Sequence, residues 1–438
     1  MPDPLTPEQR VQELTRARPR RDLPIAPHAA PGLRNLPLLD DVRPSDSKAR
    51  PIYAVWEITL ACDLACRHCG SRAGHERPNE LSTAECLDLV DQMAAMDVKE
   101  VTLIGGEAYL RPDWIDIIRR LKHHGIPTTT TTGGRGITSE MVATAKEAGL
   151  AGASVSLDGD EETHDRLRGV KGSYRSAVEA MKIFKANKLR LSCNTQINRL
   201  SMPHLEHVLE TFAAAGARSW QIQLTVPMGR AADEPDVLVQ PYDLLALFPE
   251  LARLKGRCDE LGVRLWPGNN IGYFGPYESI LRGYHYRGHG GSCGAGRATL
   301  GIEANGAIKG CPSLPTDAWT GGNIRDASLK DIWEKSEPLR FTRDRTTRDL
   351  WGYCQTCYYA EECMSGCTWT SFVTLGKAGN NPYCHHRAIE MDRVGKRERI
   401  VRVAPAPGEP FDHGIFEIVL EDVPREPLIE TQSSGDRP

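Results

Sequence analysis

Cys62-Asp63-Leu64-Ala65-Cys66-Arg67-His68-Cys69 places three cysteines at CxxxCxxC spacing, directly after the apolar run Tyr53-Ala54-Val55-Trp56-Glu57-Ile58-Thr59-Leu60. β-Branched and aromatic residues of that kind favour a strand, so the three thiols converge at a strand end. Thiolate clusters hold iron–sulfur centres or zinc, and three protein ligands leave one metal position for something that is not protein. A position left open in this way points to chemistry.

The chain around it has 438 residues, 40% hydrophobic and 26% charged, with a formal net charge of −4. That length holds two or three domains, each with its own core. The near-neutral balance gives no electrostatic footprint for nucleic acid. The sequence shows neither an uninterrupted apolar run of roughly 18 residues nor a signal peptide, so no membrane partner is expected and the expected compartment is cytoplasmic.

Cysteine placement says more than cysteine number. The 13 cysteines fall below the roughly 8–10% that marks a disulfide scaffold. None precedes Cys62, and seven (Cys293, Cys311, Cys354, Cys357, Cys363, Cys367 and Cys384) crowd the C-terminal third. In a reducing compartment such clusters read as metal ligands. Cys86, Cys193 and Cys258 stand alone and read as small buried hydrophobes.

Residues 1–50, rich in Pro, Arg and Asp, are expected to form an extended or partly disordered leader. From 51 to 230, short β-branched runs alternate with helical segments. The expected strands are 54–59, 100–104, 127–132, 152–157, 190–197 and 218–224. The expected helices are 82–96, 112–124, 139–148, 173–187 and 203–215, the first opened by a Ser82/Glu85 capping box. Six βα units predict an α/β fold whose parallel sheet curls into a partial (β/α)6 TIM-like barrel. Ligands of such sheets sit at the C-terminal strand ends. There the chain has, besides the cysteines, Gly105-Gly106-Glu107, Gly133-Gly134, Ser156-Leu157-Asp158 and Asn194 to Asn198. Singly, each reads as a turn, a cap or a solvated carboxylate. Their shared rim beside an under-coordinated thiolate cluster favours a site.

CxxxCxxC after the first strand, followed by Gly-Gly-Glu after the second, resembles the radical SAM superfamily over residues 53 to about 225. The resemblance implies a [4Fe-4S] cluster on Cys62, Cys66 and Cys69, with S-adenosylmethionine (SAM) on the fourth iron. It further implies reductive cleavage of SAM to a 5′-deoxyadenosyl radical that abstracts a substrate hydrogen. Carried over, Gly105, Gly106 and Glu107 would hold the SAM amino group. Ser156 and Asp158 match the region that contacts ribose and carboxylate, and Arg168 is the expected carboxylate partner. His68 stands where the family often has an aromatic residue, a variant expected only to change how the loop packs.

Residues 231–290 form a helical and loop linker: an amphipathic helix over 242–261, then the aromatic turn-rich stretch from Trp266 to Tyr277. That stretch reads equally as a binding-site loop or as a plug on the barrel edge. From 291 to 395, Cys293-x12-Gly306-x4-Cys311, Cys354-x2-Cys357-x5-Cys363-x3-Cys367 and Cys384 fit zinc poorly, since zinc sites come in fours. They resemble the SPASM extension of radical SAM enzymes, whose helix start also resembles Asp326 to Trp333. By position, Cys293, Cys311 and Cys367 would serve a nearer auxiliary [4Fe-4S] cluster, and Cys354, Cys357, Cys363 and Cys384 a farther one, three clusters in all. The eighth family cysteine, upstream of Cys293, is absent. The nearer cluster therefore has an open iron, the favoured reading, or borrows His285, His289 or Cys258. Residues 396–438 are expected to give a C-terminal strand (413–422) and a disordered tail, after a helix from His385 to about Arg399.

Cys311-Pro312-Ser313 lacks the acidic residue that sulfatase-maturing members place after this cysteine. The leader is too short for the winged-helix peptide-recognition domain found on many members. The expected function is a radical SAM oxidoreductase that modifies a ribosomally made precursor peptide. An external electron donor such as flavodoxin or ferredoxin is implied, and a separate peptide-recognition protein would supply what the leader lacks. The alternatives are radical modification of a small molecule, such as a tetrapyrrole side chain or amino sugar, and a non-enzymatic zinc or electron-transfer protein.

Overall fold

The computed structural model describes residues 49–283 and 291–424. All but the end of the expected leader, the terminal tail, His285 and His289 lie outside the described residues. The six expected strands are present as β1 Tyr53–Thr59, β2 Glu100–Gly105, β3 Thr128–Thr132, β4 Leu150–Ser156, β5 Arg190–Ile197 and β6 Ser219–Leu224. Between them run α1 Thr83–Ala95, α2 Trp114–His123, α3 Ser139–Ala148, α4 Glu161–Arg168, α5 Ser173–Ala186 and α6 Leu205–Ala215. The capping box at Ser82 and Glu85 is formed. Helix α4 was not expected: it buries only His164, Leu167 and Arg168, too little apolar periodicity to read.

Four further strands join this sheet: β7 Arg264–Pro267, β8 Thr299–Ile302, β9 Ala307–Lys309 and β10 Thr320–Asn323. The order is β10-β9-β8-β1-β2-β3-β4-β5-β6-β7. Strand β8 lies parallel to β1 and β7 parallel to β6, so the parallel part extends beyond the six expected strands at both edges. Strands of three or four residues carry too little alternation to be found by pattern. Their consequence is large, because β8 and β9 anchor the segment carrying Cys293 and Cys311 on the same sheet as Cys62.

Along β1 the pleat sends Ala54, Trp56 and Ile58 into the helix-covered core, where they are fully buried. Tyr53, Val55 and Glu57 point the other way, into the lumen. At the lumen floor Tyr53 Oη lies 2.8 Å from Thr102 Oγ1, which lies 2.8 Å from Thr129 Oγ1.

The linker helix is α7 Leu244–Glu260. In the cysteine-rich region the longer helices are α8 Leu329–Lys335, α9 Glu337–Asp344, α10 Thr368–Leu375 and α11 His385–Arg393. The helix expected to reach Arg399 stops at Arg393, because Gly395 takes φ +70° and the chain turns into β11 Lys396–Ala404. The expected C-terminal strand, β12 Ile415–Asp422, pairs antiparallel with β11. No helix among the described residues is long and apolar enough to cross a membrane.

Candidate functional site

The cysteine loop is held by backbone contacts that a side chain would block. Gly106 N–H donates to Thr59 O at 2.9 Å and Glu107 N–H to Ala61 O at 2.8 Å. A Cβ on Gly106 would sit 2.0 Å from Ala61 O, and one on Gly105 2.3 Å from Thr59 O. The glycine pair therefore exists so that the β2 loop can lie directly on the loop carrying Cys62. Arg230, which the sequence did not single out, fastens the far side: Nε donates to Cys66 O at 2.6 Å and Nη1 to Ala73 O at 3.0 Å.

Glu107 follows at once and turns inward. Its carboxylate accepts from Thr132 Oγ1 at 2.5 Å and Gly133 N at 2.6 Å. One of its oxygens lies within 4.8 Å of Cys62 Sγ and of an Asp63 oxygen. Burial pushes its carboxyl up to about 7, against the lowering effect of those two hydrogen bonds.

At the end of β4, Ser156 and Arg168 line the cavity and Asp158 does not. Asp158 is fully buried, with Oδ2 2.5 Å from Arg168 Nη2 and 3.2 Å from His68 Nε2, while Oδ1 accepts from Gln196 N at 2.8 Å. Burial alone would raise its carboxyl; Arg168 and then His68 outweigh that and hold it well below the usual range. Asp158 thus holds Arg168 in place, whose Nη1 reaches Cys66 Sγ at 3.7 Å. His68 does more than alter loop packing: it ties the residue before Cys69 to the same carboxylate.

A cavity of about 560 Å³ fills the mouth and lumen. Cys62, Cys66 and Cys69 line one part of it, and Cys293, Cys311 and Cys367 another. Cys354, Cys357, Cys363 and Cys384 lie apart. Burial and then Cys384, Cys354 and Cys357 raise Cys363 well above its ordinary value. Cys367, pushed up to about 12 by burial, is influenced by Cys293 and Cys311 instead. The seven thiols therefore divide three and four. Cys258 joins neither group: it is buried on α7 in the hydrophobic core, with Lys255 and Asp259 as the charged groups acting on it. The aromatic stretch contributes to the site, Asn269 and Asn270 lining the cavity, while Phe274 stacks on Tyr359 of the cysteine-rich region at 4.4 Å.

All 13 cysteines are free thiols. Burial pushes Cys62 up to about 12 and Cys311 up to about 11, so alone they stay protonated at neutral pH. Buried sulfur of this kind ionises when a metal takes the proton's place. Three separate thiol groups, two of them facing one cavity, fit iron–sulfur clusters by donor chemistry and by number.

A sequence model described as the radical SAM superfamily matches residues 56–215, and one described as an iron–sulfur cluster-binding domain matches residues 293–358. The chain is 30% identical to an AdoMet-dependent heme synthase of Oleidesulfovibrio alaskensis, covering 76% of this chain and 86% of that protein. It is also 30% identical to the mycofactocin maturase MftC of Mycolicibacterium smegmatis, covering 78% and 86%. Its fold resembles that of Streptococcus suis SuiB bound to precursor peptide SuiA, at TM-score 0.59 and 18% identity over 77% of this chain and 75% of that one.

Proposed function

This chain belongs to the radical SAM superfamily and carries a C-terminal iron–sulfur cluster-binding domain, and we propose that it is an oxidoreductase that modifies a peptide. Cys62, Cys66 and Cys69 would hold the SAM-binding cluster, with Cys293, Cys311 and Cys367 holding a second and Cys354, Cys357, Cys363 and Cys384 a third. With SAM bound, the first supplies a 5′-deoxyadenosyl radical able to take a hydrogen atom from a substrate.

The protein's own residues aim and shield that chemistry. Glu107, presented by Gly105 and Gly106, offers a carboxylate to the SAM amino group. Arg168 offers its guanidinium to the SAM carboxylate, Ser156 borders the same space, and Asp158 keeps Arg168 oriented. Phe411, from the β11–β12 connection, lines the cavity and, being buried, helps to exclude water. The nearer auxiliary group supplies three cysteines, which leaves one iron available to substrate or to a residue outside the described ones.

The observation that favours a peptide is the cavity wall. Asn194, Gln196, Gln221, Gln223 and Asn269 line it, a run of amides suited to peptide N–H and C=O groups. Its two arginines are already committed, Arg168 to Asp158 and to the SAM carboxylate and Arg230 to backbone carbonyls, and no lysine lines it among the described residues. A tetrapyrrole brings ionised carboxylates that need free cations.

The test is anaerobic reconstitution of the full chain, followed by SAM, a one-electron reductant of the flavodoxin or ferredoxin class, and short peptides encoded beside its gene. A peptide mass change with matching 5′-deoxyadenosine is expected. Turnover of a carboxylated tetrapyrrole with no peptide change would overturn the reading. The reducing cytoplasm that such clusters require is the proposed compartment.

A further inference from the structure

Each of the three cysteine groups has an arginine against it, and the three arginines are neutralised differently. Arg168, beside Cys66, is paired with Asp158 at 2.5 Å. Arg387, whose neighbours include Cys354 and Cys384, is held by both oxygens of Glu398 at 2.6 and 2.7 Å. Arg345 has no carboxylate partner among the described residues.

Its surroundings make that absence costly. Nη1 donates to Thr368 Oγ1, one residue past Cys367, at 3.3 Å. Nη2 is buried with no hydrogen-bond partner. The ring of Phe341 lies 5.7 Å from its guanidinium carbon. Burial lowers the guanidinium pKa, opposed by Cys293 and Cys363 and, more weakly, by Cys367. A hydroxyl and an aromatic face do not balance a half-buried cation whose Nη2 is fully enclosed, and a negative partner does. The sulfurs that act on it are Cys293, Cys363 and Cys367, which become anionic once they hold a metal; two of the three belong to the group that faces the cavity, and Cys363 belongs to the farther one.

We propose that Arg345 is the countercharge of the nearer auxiliary centre and makes it the easiest of the three to reduce. The inference rests on the assignment of a cluster to Cys293, Cys311 and Cys367. Reduction adds one negative charge to a centre, and an unneutralised cation beside it favours the reduced form. At the other two groups a carboxylate cancels much of the same benefit. The auxiliary centre bordering the substrate cavity is then the best electron acceptor in the protein.

The experiment is a redox titration of the reconstituted full-length enzyme, followed by electron paramagnetic resonance. As the potential is lowered, the first signal to appear should be the one missing from Cys293→Ala/Cys311→Ala. Arg345→Gln should move that signal to lower potential, move the farther auxiliary signal less and leave the SAM-binding centre in place, and Arg345→Lys should move the first signal less than Arg345→Gln does. A first signal from another centre, or an unmoved signal in fully loaded Arg345→Gln, overturns the proposal. Should Arg345→Gln fail to load iron, the wild-type order of reduction still decides. Wild-type protein holding only about four iron per chain would instead overturn the cluster assignment and the proposal with it, a failure visible in the iron count before any potential is read.

Discussion

Asp158 and Arg168 form a buried ion pair, 2.5 Å between Oδ2 and Nη2, that turns a strand end into a mount for the first cysteine group. Arg168 also closes on that loop through its backbone, since its carbonyl accepts from Ala65 N at 3.1 Å. Removing one partner leaves an uncompensated buried charge, at a cost of about 3–5 kcal/mol. Asp158→Ala should lower the unfolding free energy by that order and weaken SAM binding. Urea unfolding and isothermal titration with SAM measure both, and an unchanged SAM affinity would contradict the mounting role.

Gly106→Ala tests the crossing of the two loops. The new methyl would meet Ala61 O at 2.0 Å, backbone that moves only with the cysteine loop. Overpacking of this kind costs about 1–3 kcal/mol. The variant should load the first cluster poorly, read as iron lost per chain, while Gly125→Ala, which meets nothing within 4 Å but sits at φ +70°, should lose stability without losing iron.

Glu57 gives a pH signature. It is 1% exposed, and burial, opposed by Arg77 and reinforced by Glu303, pushes its carboxyl from 4.5 up to about 7. A folded-state pKa above the unfolded one means that the folded protein binds the proton more tightly. The stability it contributes is complete below 4.5 and is lost as pH rises through about 7. Glu57→Gln should flatten the decline in unfolding free energy over that window. An identical slope in wild type and variant would show that Glu57 does not titrate there.

Cys62→Ala/Cys66→Ala/Cys69→Ala should abolish 5′-deoxyadenosine formation from SAM while retaining about eight of about twelve iron atoms per chain. Persistent SAM cleavage in the triple variant, or tight zinc with no iron in wild type, would contradict the assignment.

Much of this was legible because its signals are local. The strand before Cys62, the cap at Ser82, the six βα repeats and the cysteine spacings are properties of short segments. Strands β8 and β9 were not legible, since Thr299–Ile302 and Ala307–Lys309 are too short to show a period and form only where β1 offers an edge. The resemblance implies that Asp158 contacts SAM, because it matches the region that does so in the family. Only burial shows that it faces Arg168 and His68. Arg345 carries no motif, and what distinguishes it is its place against Thr368, beside Cys367, with no carboxylate partner among the described residues.

The sequence by itself determined the chemistry, because metal ligation depends on residue type and spacing, and CxxxCxxC with the C-terminal array leaves few other uses for ten thiols. The tertiary structure decided how those thiols are shared. By setting β8 beside β1 it brings Cys293, Cys311 and Cys367 to the cavity of Cys62 and leaves the other four outside it. It also decided that Arg345, beside the cysteine groups, has no carboxylate partner among the described residues. Both are long-range relations, set by sheet pairing and burial, and neither is written in any one segment of the chain.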